Sequence, residues 1–324
     1  MFHASYYDFE ERALDIFHFQ YQQNKIYKEY VDSLHRNPDE INSLETIPFL
    51  PISFFKSHEV TSTTFEPEAI FESSGTTGQQ TSRHLVRKWK LYEKSFMDCF
   101  TSFYGEPHEY CIIGLLPGYL ERQNSSLVAM TDTLIRASHN RFSGFYLDDY
   151  KKVYQLIAHN EFMGTKTLLL GVTFALLDFA SQYRLHLKKT IIMETGGMKG
   201  RRKEMIREEV HKILKDSFGV EAIHSEYGMT ELLSQAYSSK NGIFKTPYWM
   251  KICIRDPYDP LRTITAPTGY NSVSGLINVI DLANKYSCSF IATEDIGKLY
   301  HNGTFEVLGR SDTSLVRGCN LLVV

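Results

Sequence analysis

Hydrophobic positions divide the chain into three stretches of different period. Near the start, Leu14, Phe17 and Tyr21 fall at helical spacing with polar residues between them, which predicts a helix. The pattern fades near Asn37-Pro38. The segment IPFLPISFFKSHEV, Ile47 to Val60, is apolar but carries Pro48 and Pro51, which forbid a regular helix interior. It predicts an extended connector pressed onto the main body. From Ala69 onward, apolar runs alternate with helical patterns. The runs Tyr110 to Leu116, Thr167 to Val172, Thr190 to Met193 and Ala222 to Ser225 read as strands. Tyr150 to His159 and Gly200 to Phe218 read as helices, the second with Ile206, Val210, Ile213 and Leu214 as one apolar stripe. After Lys251 the runs MKICIRD, GLINVIDL, SFIATEDIGKLY and TFEVLGR are shorter and more β-like.

This order predicts an α/β fold with sheet-centred packing. A helical arm and connector occupy 1–60, one α/β body occupies 61–324, and its end is β-rich. No repeat, low-complexity tract or long linker interrupts it. A net charge of -3 gives no polyanion-binding signal, and no nucleic-acid module is recognisable, so no nucleic-acid partner is expected. The longest apolar stretch, TLLLGVTFALLDFA, is too short to span a bilayer and contains Asp178. The acidic start lacks the basic and apolar regions of a secretory leader. Five cysteines, odd in number and never in a CxxC pair, argue against a disulfide framework and a structural zinc site. Together these point to a cytoplasmic setting.

Four motifs carry chemistry. SSGTTG, Ser73 to Gly78, follows an apolar run and packs small and hydroxyl residues into six positions. Such a loop lets backbone approach a phosphate while Ser73, Ser74, Thr76 and Thr77 donate to its oxygens; a flexible polar turn is the other reading. It lacks the lysine of GxxxxGK[ST], and no GxGxxG occurs. METGGMKGRR places Gly196-Gly197 where a strand runs into a helix, which permits close approach of a flat ring, or is a plain strand–helix turn. HSEYGMTE offers a stacking ring at Tyr227, a hydroxyl at Thr230 and a carboxylate suited to Mg²⁺ at Glu231, or is a surface turn. ATEDIG and LGRSD supply Asp295 and Arg310, which could hold a ribose or be a turn aspartate and a surface arginine.

The order and composition of these motifs, from about Phe71 to Gly318, resemble the adenylate-forming superfamily of acyl-CoA synthetases and adenylation domains. IPFLPISFFKSHEV, SSGTTGQQTSRH, LPGYLERQNSSLVAM, METGGMKGRRKEMIREEVH and LGRSDTSLVRGCN more specifically resemble the acyl-protein synthetase family, the long-chain-fatty-acid–luciferin-component ligases. The resemblance implies the large N-terminal domain of adenylate-forming enzymes without the small C-terminal domain. It implies that ATP is held by Ser73, Ser74, Gly75, Thr76, Thr77 and Gly78 at its phosphates, and by Gly196, Gly197, Met198, Tyr227 and Gly228 around adenine. Asp295 and Arg310 would hold the ribose. Thr230 and Glu231 would serve the α-phosphate, with Glu231 on Mg²⁺. Tyr119, Glu121, Arg122 and His224 are candidates for the acid pocket; a salt-bridged loop and a structural histidine are the other readings.

Two departures from that pattern stand out. The usual lysine at the loop's end falls at about Thr81, with Arg83 or His84 as the nearest replacement charges. The chain also ends soon after LGRSD, leaving no room for the domain that bears a second catalytic lysine. The resemblance implies an acyl group carried on a cysteine near the C-terminus, and Cys319 in the tail 311–324 is the cysteine that fits. A thiolate is a strong nucleophile toward a mixed anhydride, and Arg317 could lower its pKa. The expected function is ATP-dependent activation of a carboxylic, fatty acid to acyl-AMP, followed by transfer to a thiol. An acyl reductase or acyl-carrier protein is the implied partner. Acylation of CoA or a carrier phosphopantetheine, and non-catalytic acyl or nucleotide binding, are the alternatives.

Overall fold

The computed structural model describes residues 9–73, 80–117, 124–196, 205–256, 258–267 and 270–311. The chain divides into two compact units. One is drawn from Met1–Glu68, Thr76–Arg87 and Tyr248–Val324, the other from Ala69–Gly75 and Lys88–Pro247.

The first unit opens with helices α1 (Phe9–Gln23) and α2 (Lys25–Ser33). Their buried face is Ala13, Phe17, Gln20, Asn24, Tyr27 and Val31, while Leu14 and Tyr21 are only half-buried. Two of the six are amides, and each is buried because it has partners. Gln20 Nε2 lies 2.9 Å from Lys285 O and 3.1 Å from Asn284 O, and Gln20 Oε1 accepts from Ser289 N at 3.0 Å. Asn24 caps α2 by accepting from Tyr27 N, and donates to Ser287 O at 3.0 Å. Aromatic rings complete the contact: Tyr27 stacks on Phe290 at 6.0 Å, and Phe17 and Phe49 meet the same ring edge-on. The proline-containing connector is extended at Leu50–Pro51, which pairs in parallel with Ile291 and Ala292, and then turns through a short helix at Phe54–Ser57.

The second unit is a mostly parallel sheet with helices. Its strands are β1 (Cys111–Leu115), β2 (Thr167–Val172), β3 (Thr190–Thr195), β4 (His224–Tyr227) and β5 (Ala236–Ser238). Strands β1 to β4 pair in parallel in that order, β5 joins β4 antiparallel, and Gly144–Phe145 flanks the other side of β1. Parallel strands need crossovers. These are supplied by α4 (Ser126–Ala137), α5 (Tyr150–Met163), α6 (Thr173–Gln182) and α7 (Arg207–Phe218), with α3 (Trp89–Tyr104) preceding β1. Every residue of β1 and β2 is buried, the continuous apolar reading expected of strands covered on both faces. The core joins Ile113, Leu169 and Ile192 to Ile157, Leu176 and Leu214.

Helix α7 departs from the stripe its apolar residues predict. Val210 and Leu214 are buried, but Ile213 and Ile206 stay exposed. The inward positions are Val210, His211, Leu214, Ser217 and Phe218, because His211 and Ser217 find partners inside: Glu194 for His211 and Arg184 for Ser217. Gly219, at φ +62, ends the helix.

The β-rich end expected after Lys251 belongs to the first unit: β6 (Met250–Arg255), β7 (Ser272–Asp281), β8 (Phe290–Tyr300) and β9 (Phe305–Arg310), each antiparallel to the next. Among the described residues no helix is long and apolar enough to cross a membrane.

Removing the Gln20 amide strands several buried carbonyls and one N–H. Gln20→Ala is expected to cost about 2–4 kcal/mol in denaturant unfolding. It should also speed hydrogen exchange at the Ser289 amide; a loss below about 0.5 kcal/mol would contradict the buried role of this residue.

Candidate functional site

Strands β1, β3 and β4 end at the same edge of the parallel sheet, and each hands the chain to one of the motifs. After β1 the chain enters the segment that holds Tyr119, Glu121 and Arg122. After β3 comes Gly196, and after β4 come Gly228, Thr230 and Glu231. Strand β1 lies between Gly144–Phe145 and β2, so the direction of winding reverses there. The carboxyl ends of strands at such a switch point are where open α/β sheets bind ligands.

Register sets the spacing of two of these turns. Thr195 of β3 pairs with Glu226 of β4, so Gly196 and Tyr227 follow as neighbours on adjacent parallel strands. Gly196 is exposed with φ +71, a conformation that costs glycine nothing and would strain other residues. Tyr227 is 9% exposed, its ring edge-on to Phe244 at 6.0 Å. Thr230 is half-buried in the following turn, and the Glu231 carboxylate is buried beside it. Ser73 directly follows the strand Ala69–Glu72. Ser74, Gly75, Thr76, Thr77, Gly78, Tyr119, Glu121, Arg122, Gly197, Met198 and Cys319 lie outside the described residues.

In the first unit, Asp295 and Arg310 stand opposite each other on β8 and β9, and the arginine Nε is 3.2 Å from the buried Asp295 carboxylate. The expected ribose pair is thus an ion pair with its guanidinium end half exposed, a geometry that leaves further donors for a diol. The His84 ring is buried against Phe55 and its Nε2 meets Asn284 Oδ1 at 3.0 Å. Arg83 pairs at the surface with Glu59 at 3.3 Å.

Two buried carboxylates lie beneath the turns, on opposite faces of the sheet, and motif reading had singled out neither. Glu194 of β3 faces α7. Its Oε1 accepts from His211 Nε2 at 3.1 Å, Ser225 Oγ at 3.1 Å and Arg207 Nε at 3.3 Å. Its Oε2 lies 3.2 Å from Thr173 Oγ1. Burial alone would raise its pKa, but the His211 hydrogen bond, the charges of His211 and Arg207, and Ser225 outweigh it and hold the carboxyl below its ordinary range. Glu226 of β4 faces α3 and is buried, with the Thr195 hydroxyl as its hydrogen-bond donor. Burial therefore dominates and pushes it up to about 7. On that same face, His224 Nδ1 lies 3.1 Å from Tyr104 Oη, and burial lowers its pKa, favouring the neutral ring at pH 7. Tyr237 is paired with Glu226 in the ladder; Tyr237 Oη and Gln235 Oε1 are buried polar atoms without a hydrogen-bond partner. A glutamate before Tyr-Gly and another before Thr-Gly-Gly are visible in the sequence, but their burial follows only from strand register.

Among the described residues no three His, Cys, Asp or Glu side chains converge to hold a metal. A single carboxylate with an adjacent hydroxyl, as at Glu231 and Thr230, still fits Mg²⁺, which binds through one or two carboxylates plus phosphates and water. The four described cysteines, Cys99, Cys111, Cys253 and Cys288, are all buried. Burial pushes Cys253 and Cys288 up to about 12 and also raises Cys111, which disfavours their thiolates.

No protein-family model and no curated protein matches the sequence. Solved structures do. O-succinylbenzoate coenzyme A synthetase from Bacillus subtilis, in complex with ATP and magnesium, aligns with a TM-score of 0.50 at 18% identity, over 78% of this chain and 50% of that one. A long-chain-fatty-acid–CoA ligase from Archaeoglobus fulgidus aligns with 0.51 at 14% identity, over 76% and 52%. A fatty acyl-adenylate ligase from L. pneumophila, in complex with acyl adenylate and pyrophosphate, aligns with 0.50 at 16% identity, over 80% and 53%. The fold is that of the large domain of adenylate-forming enzymes, and the chain spans about half the length of the structures it matches.

The raised Glu226 pKa has a stability consequence. Between about 4.5 and about 7 the unfolded carboxyl is ionised while the folded one keeps its proton, so folding stability falls as pH rises through this window. The slope is at most roughly 1.4 kcal/mol per pH unit. Glu226→Gln is expected to raise the melting temperature relative to the parent at pH 7.5 but not at pH 4.5. An equal shift at both pH values would contradict a neutral buried Glu226.

Proposed function

We propose that the protein activates a carboxylic acid with ATP. A carboxylate oxygen attacks the α-phosphorus, forming the acyl–AMP anhydride, while the bond to the β,γ-phosphates breaks and pyrophosphate leaves with the electron pair. The single observation that carries this reading is the joint placement of Gly196 and Tyr227-Gly228 at the ends of adjacent parallel strands, with Thr230 and Glu231 in the turn beyond, in a fold shared with adenylate-forming enzymes. Gly196 and Tyr227 of the second unit flank the adenine; in the first unit, the Asp295–Arg310 pair suits a ribose diol. Ser73 to Gly78 surrounds the phosphates, with Gly197 and Met198 on the base side. Glu231, with Thr230 next to it, would hold Mg²⁺, which would offset phosphate charge there.

The finer reading is an acyl-protein synthetase acting on a fatty acid. Two of the matched structures are ligases of fatty acids by their description. Tyr119, Glu121 and Arg122 follow β1 at the switch point, and neutral His224 lines the face with Glu226 and Tyr237, so these groups contact the acid. The acyl group passes to a thiolate, which attacks the anhydride carbonyl and expels AMP. Of five cysteines, the four described ones are buried, with Cys253 and Cys288 far from thiolate at neutral pH. That favours Cys319 as acceptor, with an acyl reductase or acyl-carrier protein downstream.

Labelled pyrophosphate is expected to exchange into ATP only when a suitable acid is present, across a panel from short to long chains. Glu231→Gln should lower that exchange about a hundredfold or more at unchanged melting temperature. Exchange in the absence of any acid, or full exchange in Glu231→Gln, would overturn the reading. With labelled fatty acid, hydroxylamine-labile label should appear on the wild-type chain in a denaturing gel and vanish in Cys319→Ser; its persistence would exclude Cys319 as acceptor.

A further inference from the structure

Three of the four side chains that Glu194 holds lead to residues assigned to ATP. Thr173 Oγ1, 3.2 Å from the Glu194 carboxylate, is also 2.9 Å from the carbonyl oxygen of Gly196, so one hydroxyl proton serves both. Ser225, which donates to Glu194, precedes Tyr227 by two residues on β4. Arg207, which also donates to Glu194, lies over the Phe244 ring at 5.3 Å, and Phe244 meets the Tyr227 ring edge-on. His211 anchors the same carboxylate to α7. One buried anion therefore links the Gly196 turn, through Thr173, to the Tyr227 ring, through Arg207 and Phe244. The carboxylate is ionised and nearly inaccessible, at 7% exposure. Loss of one donor leaves buried charge uncompensated, so the brace resists change in either direction.

We propose that Glu194 is a positioning residue for the nucleotide: its carboxylate fixes the gap between the Gly196 turn and the Tyr227 ring that receives the adenine. The proposal rests on the reading of those two residues as the walls of the nucleobase site. A brace of this kind acts on the base and not on the phosphates. It predicts that weakening the brace reduces affinity for adenosine-bearing ligands alike and spares ligands without a base.

The test is calorimetric binding of ATP with Mg²⁺, AMP and inorganic tripolyphosphate to the full chain and its variants. Glu194→Gln should weaken ATP and AMP by the same factor, about tenfold, or 1.4 kcal/mol, with tripolyphosphate unchanged. Ser225→Ala removes one donor and is the milder variant, expected to show the same selectivity with a factor of about three. The control is Asn160→Ala. It breaks a buried hydrogen bond to Thr167 at 3.0 Å, at the opposite end of β2, and should lower melting temperature with all three affinities unchanged. If both brace variants bind ATP within twofold of wild type, or lose tripolyphosphate equally, the proposal is wrong while nucleotide binding stands. If the wild-type chain binds tripolyphosphate but neither ATP nor AMP more tightly, the nucleobase reading fails and the proposal with it.

Discussion

A carboxylate removed from water must have its lone pairs engaged, or it takes up a proton. This constraint organises the parallel sheet around its functional edge. Glu194 and Glu226 sit on adjacent strands, one residue out of step, and so point to opposite faces. The first has donors from four side chains, two of them cationic or able to be, and stays ionised. The second has the Thr195 hydroxyl and takes the other outcome, a pKa near 7. The difference is the number and charge of donors, not the depth of burial. The face of the sheet toward α7 thereby becomes an ionic brace, and the face toward α3 a polar layer of His224, Tyr104 and Tyr237 in which Glu226 keeps its proton below about pH 7. The turns that carry the candidate chemistry hang from this pair.

The hydrophobic pattern made the strands legible. Thr167–Val172 is observed at the limits its apolar run predicts, and β1, β3 and β4 begin or end within two residues of theirs. The β-rich end was equally visible, whereas the expected connector is extended only at Leu50–Pro51 and then forms a short helix at Phe54–Ser57. The helix faces were read less well. In α1 and α2 the buried stripe runs through Gln20 and Asn24, and in α7 through His211 and Ser217, while Ile206 and Ile213 stay outside. A hydrophobicity rule places polar residues outward. It has no means of knowing that carbonyls at Asn284 and Lys285, or the Glu194 carboxylate, wait within reach from distant parts of the chain.

The site shows the same division. Gly196, Tyr227, Thr230 and Glu231 were legible as short motifs because turns at strand ends need particular residue types. Asp295 and Arg310 were legible as residues but not as partners, since their pairing depends on the register of β8 with β9. For Glu194 and Glu226, only strand register shows that they are buried. His84, a candidate replacement for a missing positive charge, meets Asn284 some 200 positions away. Long-range hydrogen bonding decides such cases, and it leaves no trace in local spacing.

In the proposed reaction, acid and ATP meet at the α-phosphorus. Phosphorus NMR of the nucleotide products, after incubation with a fatty acid, Mg²⁺ and a thiol acceptor, tests it most directly. AMP and pyrophosphate should form in equal amounts, and only when acid is present. ADP and inorganic phosphate as the products would place the attack at the γ-phosphorus and contradict it.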